Sequence, residues 1–138
     1  MSIGAQAYNQ YKKTTVETVS PGKLLIMLYD GLLKNINMAK NAIDSNDFNL
    51  AHNNIIKAED IVVEFMSTLD MSYEISKNLY SLYDFMMNRL IEANLAKDKA
   101  ILEEVESLVE DLRDTWQEAL KVASNSANPT TTNLSLRG

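Results

Sequence analysis

The chain has 138 residues, a formal net charge of −6 and no cysteine. This length supports one domain with its own hydrophobic core. Without cysteine there is no disulfide or thiolate chemistry, and the acidic balance repels phosphate backbones, which argues against a nucleic-acid partner.

Only four Gly and two Pro interrupt a chain rich in Leu, Ile, Ala, Met, Glu and Lys, which points to an all-α fold. Residues 1–19 read as an arm. Tyr8, Tyr11 and Val16 are spaced apolar points in a polar stretch, and no signal-peptide core is present. The longest apolar run, Leu24 to Tyr29, is far too short for a membrane span. A cytoplasmic protein without membrane insertion is expected.

Ser20-Pro21 marks the first helix start, with a capping hydroxyl followed by a residue that loses no hydrogen bond there. The spacing predicts a helix to about Ile43, with Leu24, Leu25, Leu28, Tyr29, Leu32, Leu33, Ile36, Ala39, Ala42 and Ile43 on its apolar stripe. Ile26 and Met27 fill the gaps near its start. A helix end that is apolar all round needs covering all round. Asp47 is placed to cap a second helix over about 48–69, carrying Ile55, Ile56, Ile61, Val62, Phe65, Met66 and Leu69. Ser72 is the expected cap of a third, about 73–95, with Ile75, Leu79, Leu82, Tyr83, Met86, Leu90 and Ala93. Asp98 caps a fourth, about 99–124, through Ile101, Leu102, Val105, Leu108, Val109, Leu112, Trp116, Ala119 and Leu120. Short links impose antiparallel neighbours and thus an up-down-up-down four-helix bundle. The expected organisation is one domain over 1–124, followed by a flexible Ser/Thr/Asn-rich tail over 125–138.

A bundle invites a di-iron site, which needs Glu-x-x-His on two helices and two further glutamates. His52 is the sole histidine and lacks the preceding Glu, so that site cannot be built, and His52 reads as a solvated residue. Residues 98–124 hold eight acids against three bases. Glu103, Glu104, Glu106, Glu110 and Asp111 lie on a regular helix rather than a ligating loop, so a solvated acidic face is expected. No phosphate loop, nucleophile elbow or zinc spacing occurs. Neither catalysis, nor a cofactor, nor a metal is expected.

The helices carry more apolar side chains than a shared core requires, which is about three positions in seven. Val63, Tyr80, Phe85, Met87 and Ile91 fall beside the main stripes. Such a surplus is covered by the arm, by a second copy in a structural homo-oligomer, or by a docked polypeptide. Leu28-Tyr29-Asp30 also recurs as Leu82-Tyr83-Asp84, either by chance or because two equivalent positions use a Tyr to bridge core and surface.

The stretch Tyr11-x4-Val16-x-Thr18-x-Ser20-Pro21-x2-Leu24-Leu25-x2-Leu28-Tyr29-Asp30-Gly31 resembles the signature of the FliS family, flagellar secretion chaperones that bind flagellin. Ala58-x-Asp60-Ile61-Val62, Leu79-x2-Leu82-Tyr83-Asp84-Phe85-Met86, Leu90-x2-Ala93-Asn94 and Leu112-Arg113-x2-Trp116 follow in the family's order, over about residues 8–121. Val19 departs from the small residue the family commonly has there, and the tail has no counterpart.

The resemblance implies a chaperone that binds the disordered C-terminal segment of flagellin, about one to one, in apolar grooves around the bundle. It implies that binding prevents premature polymerisation and that the subunit is handed to a component of the export apparatus. It also implies an arm lying over part of that surface. The residues expected at client or arm contacts are Tyr8, Tyr11, Val16, Leu25, Leu28, Tyr29, Ile61, Leu79, Leu82, Tyr83 and Met86, with Asp30 as a hydrogen-bond acceptor. A place in the core is the competing reading for each apolar one.

Overall fold

A computed structural model describes residues 21–127, with side chains over 21–123. Four helices follow in order: α1 Pro21–Asp44, α2 Phe48–Thr68, α3 Glu74–Ala96 and α4 Lys99–Ala127. No strand occurs among the described residues. The fold is the antiparallel four-helix bundle that the periodicity predicts. The fourth helix outlasts its expected end near 124 by three residues. Ser20, the expected cap of α1, lies outside the described residues, as does the tail beyond residue 127.

The turns show why each helix stops. Asn46 adopts a left-handed conformation, φ 58°, and the Asp47 N–H reaches back to the Ala42 carbonyl at 2.8 Å. This closure satisfies the last carbonyls of α1, with Asn standing where glycine is commonest. The Asp47 carboxylate then accepts from the Leu50 N–H at 3.1 Å and caps α2, as expected. Lys97 closes α3 in the same way at φ 51°, and Asp98 accepts from the Ala100 N–H at 2.9 Å to begin α4. Ser72 does not cap α3. Asp70 captures its N–H at 3.0 Å and its hydroxyl at 2.6 Å, so the cap position passes to Tyr73, whose side chain makes no capping bond.

The chain divides into two compact units. The larger, Tyr29–Leu112, draws on all four helices. Its core holds Leu32, Ile36 and Ala39 of α1, Ile55, Ala58 and Val62 of α2, Met86, Leu90 and Ala93 of α3, and Leu102, Val105 and Val109 of α4. Three rings form its centre. Phe65 lies between Tyr29 and Tyr83, with ring centroids 4.5 and 5.2 Å away, and the two phenol oxygens share a hydrogen bond of 2.5 Å. Ion pairs bind the rim: Lys40 to Glu106 at 2.8 Å, and Arg89 to Glu104 at 2.8 and 2.9 Å. The Arg89 pair is exposed and contributes little stability, whereas the Lys40 pair is part-buried. On the acidic face of α4, Glu103, Glu104 and Glu106 are paired and Glu110 is exposed. In the smaller unit, described over 21–28 and 113–127, α1 meets α4 at Gly22. A Cβ there would lie 2.3 Å from a Leu120 methyl, so glycine permits the approach.

Candidate functional site

Helix phase decides which apolar side chains reach the core. In α2 the inward arc is set by Ala51, Ile55, Ala58, Val62 and Phe65, all buried. Ile56 and Val63 fall on the opposite side of that arc. In α3, Ser76, Tyr83, Met86, Leu90 and Ala93 point inward, which places Tyr80, Ile91 and Leu95 on the flank beyond. The result is an apolar surface on α2 and α3. Val63 is 52 % exposed and Leu95 83 %, with Ile56, Tyr80 and Ile91 also exposed; Phe85, 48 % exposed, lies on the other flank of α3.

Val63, Tyr80, Phe85 and Ile91 are surplus in the structure as they are in the sequence; Met87 is half-buried. Ile26 and Met27, in the smaller unit, are half-buried as well. Ile56 and Ile75, placed on core stripes by their spacing, are exposed instead. Ile56 lies two residues from the centre of the buried arc, about 200° around the helix, and Ile75 lies in the first turn of α3, where its neighbour Ser76 is the buried residue. Leu95, two residues past the buried Ala93 and so about 200° around α3, points outward.

The residues expected at contacts have separated into three groups. Leu28, Tyr29, Ile61, Tyr83 and Met86 are buried. Leu25, Leu79 and Leu82 are half-buried, and Asp30 is exposed. Tyr8, Tyr11 and Val16 lie outside the described residues. The paired Leu-Tyr-Asp triplets occupy equivalent positions in one sense, since their tyrosines meet in the larger unit's core. They do not bridge core and surface: Tyr29 is 0 % exposed and Tyr83 2 %. Burial pushes the Tyr83 phenol above its usual range, and the bond with Tyr29 opposes this.

A trough of about 330 Å³ lies between the outer flanks of α2 and α3. Ile56, Ile91 and Leu95 supply its apolar lining, Glu59 its one carboxylate, and His52, Asn94 and Lys97 its polar end. That end is tied together. The Asn94 amide lies 2.9 Å from His52 Nδ1, and the Lys97 ammonium donates to the Asn94 backbone and side-chain oxygens at 2.6 and 2.8 Å. His52 is thus an exposed, hydrogen-bonded residue, as its isolation in the sequence implied. A second trough of about 300 Å³, with Met38 and Leu50 at its edges, lies over the α1–α2 turn.

Among the described residues no group of three His, Asp or Glu is arranged to hold a metal ion, and no helix is long and apolar enough to cross a membrane. The arrangement offers adaptable apolar contact, which is the chemistry of polypeptide recognition.

Comparison with known proteins agrees with this chemistry. The family described as Flagellar protein FliS matches residues 4–123. The flagellar secretion chaperone FliS of Bacillus subtilis (strain 168) is 40 % identical over 114 residues, covering 83 % of this chain and 86 % of that protein. The FliS of Escherichia coli (strain K12) is 34 % identical over 121 residues, covering 85 % and 89 %. A solved structure described as a flagellar chaperone from bacteria superposes with a TM-score of 0.70 at 19 % identity, over 86 % of this chain and 98 % of that one, and supports the fold. The relatives are named as chaperones, a non-enzymatic role.

Proposed function

Because the chain belongs to the FliS family of flagellar secretion chaperones, we infer that it binds the C-terminal segment of flagellin in the cytoplasm, about one to one. By occupying that segment it keeps flagellin from polymerising early, and it presents the subunit to a component of the export apparatus. The observation that carries this reading is the run of exposed apolar side chains on α2 and α3, which a monomer seldom leaves in water without use.

A disordered client spends about 2–5 kcal/mol on ordering, which an interface of roughly 1,000–3,000 Å² offsets. The buried candidates Leu28, Tyr29, Ile61, Tyr83 and Met86 act from within, by fixing the packing beneath the surface. Leu25, Leu79, Leu82 and Asp30 retain access for direct contact. Tyr8, Tyr11 and Val16 enter on sequence resemblance, as parts of an arm that yields to the client.

Calorimetric titration of the full chain with a peptide of the flagellin C-terminal segment tests the reading. Saturable binding near one to one is expected. Absence of heat together with absence of any spectral change would overturn it. The same exposed side chains also suit self-association. A dimer that persists on dilution in light scattering, with no affinity for the peptide, would favour a structural homo-oligomer.

A further inference from the structure

The trough between α2 and α3 is asymmetric in how its charges are satisfied. At the polar end, His52, Asn94 and Lys97 bond to one another. Among the described residues, Lys97 is the only Lys or Arg in the lining, and its ammonium is turned onto Asn94. Glu59 is different. It is half-buried beside Ile56 and Ile91, and among the described residues no Lys or Arg lies within ion-pair distance of it. Burial pushes its carboxyl upward, neighbouring Asp60 adds to that, and His52 weakly opposes it. A carboxylate part-removed from water against apolar side chains is disfavoured until a cation compensates it. A solvated surface acid has no such need, and Asp60, one position along, is exposed.

We propose that this trough receives an amphipathic helical segment carrying a Lys or Arg at the margin of its apolar stripe, the cation seated on Glu59 and the apolar side chains on Ile56, Ile91 and Leu95. The inference rests on the client reading for the occupant's identity; Glu59 adds the occupant's charge. Apolar lining alone supplies affinity without orientation. One carboxylate at a fixed place selects both a register and a direction, since a charge-assisted bond forms only when the cation arrives opposite it.

The test uses the full chain and three titrants followed by fluorescence anisotropy. Two are synthetic helical peptides with the same leucine stripe at i, i+3 and i+7, one flanked by Lys and one by Glu. The third is the flagellin C-terminal segment. The unaltered chain is expected to bind the Lys peptide about tenfold more tightly than the Glu peptide. Glu59→Gln should erase that preference, Glu59→Lys should reverse it, and Asp60→Asn should leave it intact. Circular dichroism checks that each variant keeps its helicity. Equal affinity of the unaltered chain for both synthetic peptides, or a preference that survives Glu59→Gln, would overturn the inference. Failure of the flagellin segment to bind while the Lys preference holds would instead count against flagellin as the client and leave the trough's chemistry standing.

Discussion

At the scale of residues, the shared hydrogen bond between Tyr29 and Tyr83 makes two polar atoms tolerable deep in the core. Replacing Tyr83 with Phe removes one partner and is expected to cost about 1 kcal/mol in chemical denaturation. Because burial raises the folded Tyr83 pKa above the ordinary value of 10.0, the neutral phenol is favoured in the native state. That contribution is complete below the unfolded pKa and is lost as pH climbs through the folded one. Alkaline unfolding of Tyr83→Phe, followed above pH 10.0, should be correspondingly shallower than that of the parent.

Gly31 presents a different case. A Cβ there would sit 3.6 Å from Ile61 Cδ1, an ordinary contact, so Gly31→Ala should stabilise the chain by about 0.5–1 kcal/mol through helix propensity. Asn54 is buried with its Oδ1 lacking a partner among the described residues, while its amide nitrogen donates to the Leu50 carbonyl. Asn54→Leu is therefore expected to be neutral or stabilising in a thermal melt. None of these three details is legible in the sequence, because each depends on what stands opposite in space. That Tyr29 and Tyr83 are a pair was half-visible in the repeated Leu-Tyr-Asp. That they face each other, and not the surface, required the packing of Phe65 between them.

At the scale of elements, α3 starts without a side-chain cap. Tyr73 holds the cap position with extended backbone, φ −95° and ψ 142°, and offers no capping bond. Tyr73→Ser should supply one and raise stability by about 1 kcal/mol, measured as a shift in denaturation midpoint at constant slope. Helix limits were readable within a few residues because caps and turns are local chemistry: Asp47 and Asp98 needed only the N–H groups that follow them. Ser72 does not cap for an equally local reason, since Asp70 accepts from the Ser72 hydroxyl and takes it from the helix. Ile75 is exposed while its neighbour Ser76 is buried; periodicity gives a helical phase without saying how much chain covers the first turn.

At the scale of the whole molecule, the apolar surplus was legible as a quantity. The count of apolar positions exceeds what the helices can bury among themselves, and Val63, Tyr80, Phe85 and Ile91 are indeed left outside. Which of the motif residues remain accessible was not legible. The residues that carry the family resemblance include Tyr29, Ile61, Tyr83 and Met86, whose spacing serves the core. Motif strength and surface accessibility are separate properties, and the first says nothing of the second. An export chaperone needs both a core that survives client binding and an outer face that the client can leave.

Methyl-resolved NMR of the full chain, titrated with the flagellin C-terminal segment, separates these two populations directly. The methyls of Ile56, Val63, Ile91 and Leu95 should shift or broaden, while those of Ile36, Leu90 and Leu102 in the core stay in place. Unmoved signals from the first set in the presence of saturating peptide would contradict a docking face on α2 and α3.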